Sequence, residues 1–99
     1  MDITLLYFED CPNWKLAEER LVALAKGRPD LAVTHRLVQT TAEAERLGFL
    51  GSPSIQVNGV DVFAEPGSQV GLSGRRYSTP DGYQGAPSLE QLKGVLTNA

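Results

Sequence analysis

Residues 2–8, Asp-Ile-Thr-Leu-Leu-Tyr-Phe, form an almost unbroken apolar run that ends three residues before the chain's single cysteine, Cys11. A run this short, rich in leucine, β-branched and aromatic side chains, fits a central strand buried on both faces, and it is too short to span a bilayer. Pro12 to about Lys26 follows with apolar residues at Trp14, Ala17, Leu21, Leu24 and Ala25 and most charges elsewhere, the period of an amphipathic helix. Gly27 and Arg28-Pro29 predict its end, with glycine in a left-handed exit. A buried strand feeding an amphipathic helix sets the fold class as α/β.

The rest of the chain continues the alternation. Asp30 to Val38 alternates weakly and predicts a peripheral, half-wet strand. Thr40-Thr41-Ala42-Glu43 has the spacing of a capping box, and the short helix it opens ends at Gly48. Ile55-Gln56-Val57 and Val60-Asp61-Val62-Phe63 are joined by Asn58-Gly59, the pair that a type I′ hairpin turn requires. Residues 64–87 carry three prolines and five glycines with no regular period and predict a long loop. Ser88-Leu89-Glu90-Gln91 is a second capping box, opening a last helix through Leu92, Val95 and Leu96.

The expected order is β-α-β-α-β-β-α: a four-stranded mixed sheet flanked by three helices, with the first two strands parallel and the last two in a hairpin. Ninety-nine residues make one domain, 1–99. A hydrophobic fraction of 41% with 21% charged residues is that of a soluble globular protein, and a net charge of −3 argues against a nucleic-acid or anionic-membrane binder. One cysteine excludes an internal disulfide, which makes a reducing cytoplasm the default setting. Met1-Asp2 opens without a signal-peptide pattern, so the expectation is a complete, soluble chain. One cysteine and one histidine, separated by a helix, offer no metal cluster.

Ligands of such sheets gather beyond the carboxyl ends of the parallel strands, where Cys11 falls. Cys11 at a helix N-terminus gains from unpaired N–H groups and the dipole, and Pro12 suits that turn, whereas Glu9 and Asp10 oppose a thiolate. Two readings of Cys11 stand: a reactive thiol and a buried strand-end cysteine. Trp14 either shields the thiol or anchors the helix in the core, and His35 reads as an ordinary strand histidine away from the junction.

The order of elements resembles the thioredoxin fold, with Cys11-Pro12-Asn13-Trp14 at the family's active-site position and Ser52-Pro53 at its cis-proline position. Tyr7-Phe8-Glu9-Asp10-Cys11-Pro12-Asn13-Trp14 and Gly51-Ser52-Pro53-Ser54 are also similar to a group of small bacterial thioredoxin-like proteins labelled alkylmercury-lyase-like. The resemblance implies that Pro53 follows a cis bond and faces Cys11, with the backbone before it able to pair with a bound peptide or thiol conjugate. Two thiols of those patterns are missing. Trp14 stands where thioredoxins have their second cysteine, and Gly71-Leu72-Ser73-Gly74-Arg75 matches a Gly-Leu-Ala-Cys-Arg stretch of the smaller group.

The expected activity is therefore thiol–disulfide exchange by a monothiol, with Cys11 as the reacting residue and Pro12, Trp14, Ser52 and Pro53 shaping the site. Glutathione, another low-molecular-weight thiol, or a partner protein's mixed disulfide would be the co-substrate, with no tightly bound cofactor. Arg75, Arg76 and Tyr77 in the long loop either fold over the thiol to hold an anionic thiol or lie in a solvated, mobile segment. A monomer is expected, with a dimer through Cys11 open to an exposed thiol. The alternatives are a non-catalytic binding module for a protein partner and an accessory in mercury or organomercurial handling.

Overall fold

In a computed structural model, which describes residues 1–97, the chain forms a four-stranded mixed sheet with helices on both faces and a separate two-stranded hairpin. The main elements are β1 (Asp2–Tyr7), α1 (Trp14–Ala25), β2 (Ala32–Leu37), α2 (Thr41–Leu47), β3 (Ser54–Val57) and β4 (Val60–Asp61). The hairpin strands β5 (Tyr77–Thr79) and β6 (Gly82–Gln84) follow, and α3 (Leu89–Thr97) is last. The strand order is β2-β1-β3-β4, with β1 parallel to β2 and antiparallel to β3, and β3 antiparallel to β4.

The two-residue period of β1 divides its apolar run between two cores. Ile3 and Leu5, fully buried, join Ile55 and Val57 of β3, Ala17 and Leu21 of α1, and Leu92 and Leu96 of α3. Leu6 points the other way, into a second core with Val38, Ala44 and Phe49 beside α2. The strand is thus central and covered on both faces, as its composition requires, while β2 lies at the sheet edge with Ala32, Thr34, His35 and Arg36 exposed. Arg20 of α1 donates to the Pro87 carbonyl at 2.7 Å and Arg28 to the Leu96 carbonyl at 2.8 Å, tying the first helix and its exit to the last helix.

Local signals explain most boundaries. Thr40 Oγ1 accepts the Glu43 N–H at 3.1 Å, and Ser88 and Gln91 cap each other reciprocally, with Ser88 N–H on Gln91 Oε1 at 2.9 Å and Gln91 N–H on Ser88 Oγ at 3.1 Å. Gly48 ends α2 in the left-handed conformation, and Asn58 and Gly59 both take the positive φ of the turn between β3 and β4.

Three boundaries differ from the sequence expectation. Helix α1 begins at Trp14 with Asn13 as its N-cap residue, so Pro12 lies outside the helix and Cys11 precedes the cap by two residues. Asparagine is a preferred residue at that cap, although here its side chain makes no capping bond. Gly27 is not left-handed; the helix tightens instead, with Arg28 N–H on the Ala25 carbonyl at 3.1 Å before Pro29 stops it. The stretch 64–87 is not loop throughout: β5 and β6 pair Tyr77 with Gln84 and Thr79 with Gly82 around Pro80-Asp81.

Candidate functional site

Cys11 occupies a turn immediately beyond β1, closed by its own N–H on the Phe8 carbonyl at 3.1 Å. Because α1 starts only at Trp14, the helix's first turn lies past the thiol rather than around it. Cys11 is 6% exposed, and Glu9 and Asp10 before it are exposed. The turn is joined to the start of β3 by one bond across the sheet: Phe8 N–H donates to Ser52 Oγ at 3.2 Å. Ser52 and Pro53 are almost wholly buried, and the peptide bond between them is cis.

Tyr77 packs against the same face. Its hydroxyl donates to the Pro53 carbonyl, and its ring meets Phe63 edge-on at 5.4 Å. Burial pushes the Tyr77 phenol well above its ordinary range; the neighbouring Arg75 charge opposes the rise, and the charges of Asp61 and Cys11 add to it. Tyr77 is therefore a neutral donor to the Pro53 carbonyl across the accessible pH range.

Arg75 is turned inward. Its guanidinium meets both oxygens of Asp61, at 2.6 and 3.2 Å, reaches Ser54 Oγ at 3.3 Å and lies 4.8 Å from the centre of the Tyr77 ring. The two side chains of the pair are only 10% and 6% exposed. Asp61 is held for the purpose, since Oδ1 also accepts the Phe63 N–H at 2.9 Å. Arg76, the next residue, is exposed. Of the loop residues Arg75, Arg76 and Tyr77, the structure brings Tyr77 to the Pro53 carbonyl, commits Arg75 to Asp61 and leaves Arg76 at the surface.

The hairpin reaches the cysteine turn through one close approach. A Cβ added at Gly85 would fall 2.1 Å from Asn13 Nδ2, so a larger residue there would require the Asn13 side chain to shift.

Trp14 is half-buried and does two things at once. It packs against the main core and stacks on Tyr7 at 4.1 Å between ring centres, 18° from parallel. His35 closes this cluster edge-on, 5.7 Å from Trp14 and 5.8 Å from Tyr7, with Nδ1 2.5 Å from Glu18 Oε2. Tyr7 and His35 meet because Tyr7 is paired with Leu37, two residues beyond His35 on the same strand face.

Beside the cysteine turn, at the carboxyl ends of β1 and β2, lies a cleft of about 290 Å³ lined by Phe8, Glu9, Asp10, Val38, Gln39 and Leu72. Its lining mixes the apolar side chains of Phe8, Val38 and Leu72 with the carboxylates of Glu9 and Asp10. Among the described residues no three His, Cys, Asp or Glu side chains gather to hold a metal ion, and no helix is long and apolar enough to cross a membrane.

Asp61 and Tyr77 carry much of this arrangement, and the two stand differently in the sequence. Asp61 falls on a strand with apolar neighbours, the only hint that its carboxylate turns inward toward a cation. Tyr77 precedes the turn residues Pro80-Asp81-Gly82 by three positions, the hint of a hairpin that buries it. No protein-family model, curated protein or solved structure matches the chain.

Proposed function

We propose that this is a thioredoxin-like monothiol protein in which Cys11 exchanges with a disulfide brought by a partner. The observation that carries the reading is the junction itself: a lone cysteine just beyond the central strand, tied through Phe8 to Ser52, the residue before the cis proline whose carbonyl accepts the Tyr77 hydroxyl. The β2-β1-β3-β4 order, with β1 parallel to β2 and antiparallel to β3, supports it, as does the position of Ser52-Pro53 directly before β3.

The chemistry balances without a second protein thiol. The Cys11 thiolate attacks one sulfur of a disulfide R–S–S–R′, forming Cys11–S–S–R and expelling R′–S⁻, which takes a proton from water. An external thiolate then attacks the mixed disulfide, carries R away as a new disulfide and restores Cys11. No net electron stays on the protein. Glutathione, another small thiol or a protein thiol can supply that second step.

The surroundings select among disulfides by charge. Arg75 is spent on Asp61, while Glu9 and Asp10 line the cleft beside the thiol, so the site suits a cysteine with neutral or basic flanks over an anionic one. Cystamine, hydroxyethyl disulfide and oxidised glutathione then form the Cys11 mixed disulfide at rates falling in that order. The gap between the first and last narrows as salt shortens the Debye length from about 10 Å at 0.1 M to about 3 Å at 1 M. Intact-mass kinetics check this. Equal rates for all three would remove the charge selectivity, and no adduct in the folded state would remove the exchange reading.

The 6% exposure of Cys11 favours a second reading, a binding module that grips an extended segment at the same face without exchange. Cys11→Ser separates the two: partner engagement that survives the substitution belongs to the binding module, whereas the exchange reading loses its covalent intermediate.

A further inference from the structure

The edges of the four-stranded sheet are β2 and β4, and β2 is the one long enough to pair again: six residues in unbroken register with β1, without proline, glycine or bulge. The ladder decides which of its backbone groups are free. Ala32 N–H donates to the Met1 carbonyl at 2.9 Å and Val38 N–H to the Tyr7 carbonyl at 2.7 Å, so the even-numbered residues turn their main chain toward β1. Val33, His35 and Leu37 therefore point their N–H and C=O groups out of the sheet, and among the described residues these groups have no partner.

The strand is complementary to a reversed copy of itself. An antiparallel copy centred on His35 sets Val33 against Leu37 of the second copy, His35 against His35 and Leu37 against Val33, and each pair exchanges both main-chain bonds. No other twofold placement uses all three outward residues. Val33 and Leu37 are half-buried and apolar, so their pairs continue the face that α1 covers, while on the other face the exposed Thr34 lies opposite the exposed Arg36 of the second copy. The His35 ring is engaged by Tyr7, Trp14 and Glu18 of its own chain, which sets a carboxylate beside each imidazole at the twofold.

The ground beside the strand is open and electrically balanced. A cleft of about 320 Å³ between α1 and β2 and another of about 650 Å³ along α1 share Glu18 and Val22, and Val22 is 44% exposed. Lys15, Lys26 and Arg36 stand on this side against Glu18 and Glu19, whereas the chain as a whole carries −3. Two anionic copies thus meet on a face without an excess of anions, where their mutual repulsion is least.

We infer that the free edge of β2 is a homodimer interface, at which two copies pair antiparallel through Val33, His35 and Leu37 and join their four-stranded sheets into one continuous sheet. The dimer is non-covalent, differs from the monomer expected from the sequence, and does not depend on the thiol chemistry. Because the twofold reverses β1, the Cys11 turns lie beyond opposite ends of the joined sheet. Pairing therefore keeps the two thiols apart.

Sedimentation velocity and hydrogen exchange on the full chain, each at low and high protein concentration, test the interface. The expected result is a dimer at high concentration in which the Val33, His35 and Leu37 amides gain about tenfold or more in protection, while the Thr34 and Arg36 amides, bonded to β1 in either state, change far less. Thr34→Glu places a carboxylate opposite Arg36 of the second copy and tightens the dimer by about threefold or more; Thr34→Lys weakens it by a similar factor. Thr34 is exposed, so both variants keep the fold. A chain that stays monomeric at high concentration would overturn the dimer, as would a dimer whose three outward amides stay unprotected or whose affinity moves the same way in both Thr34 variants. Protection gained only when a different protein is added would assign the edge to that partner and overturn it equally.

Discussion

Arg75→Ala destabilises the domain by about 3–5 kcal/mol, because it leaves the Asp61 carboxylate buried without its cation. The magnitude follows from geometry: a two-point contact at 2.6 and 3.2 Å, with both side chains nearly excluded from water, cannot be replaced by solvent without moving the segment that carries Arg75 or β4. For a domain of this size a loss of that order consumes much of the total stability of about 5–15 kcal/mol. Urea unfolding checks it, with a lower midpoint and an unchanged m-value. The double substitution Asp61→Asn/Arg75→Met regains most of the loss, since it removes both charges and keeps an acceptor for the Phe63 N–H. A single-variant loss below about 1 kcal/mol would place the pair in solvent, in the range of surface salt bridges.

Phe49→Ala has an effect of similar size for a different reason. Phe49 is fully buried and is the largest member of the smaller core, with Leu6, Val38 and Ala44 around it. Truncation leaves a cavity among Leu6, Val38 and Ala44, between β1, the end of β2 and α2, that neighbours fill only in part, at a cost of about 3–5 kcal/mol. The Phe49 backbone would still accept from Gly71, but its loosened side chain would leave that anchor less fixed. Calorimetry or urea unfolding reads the stability. The second expected sign is faster exchange at the Ser52 and Arg75 amides, whose bonds to the Ser73 and Ser52 carbonyls hold the segment after Gly71.

Much of the frame was legible because it rests on local chemistry. The β1 run had to be central, Asn58-Gly59 had to turn, and Thr40–Glu43 and Ser88–Gln91 had to cap, since each feature carries its cause within four residues. The β5–β6 hairpin was hidden for the opposite reason. Three residues on each strand are too few to show a two-residue period, and what holds Tyr77 in place is its contact with Pro53, far away in the chain.

The site divides along the same line. The sequence brings attention to Cys11, Ser52 and Pro53 through their places at strand ends. It gives no sign that Arg75 is committed to Asp61, because that pairing depends on how the loop crosses β4. Nor does it bring His35 to Trp14, since β2 lines up with β1 only through the parallel register that sets Leu37 opposite Tyr7. The start of α1 shows the limit of boundary reading. Pro12 and Asn13 are both good initiators, and a shift of two residues moves Cys11 from the helix's first turn into the turn before it.

The central claim is that Cys11, in the folded protein, is a nucleophile that can be loaded and unloaded. Intact-mass spectrometry of the folded chain with hydroxyethyl disulfide, followed by a small external thiol, tests it most directly. The account predicts a single adduct on Cys11, its removal by the added thiol, and no adduct in Cys11→Ser. A folded chain that stays unmodified while the denatured chain reacts readily would contradict it and leave Cys11 as a structural residue of the sheet end.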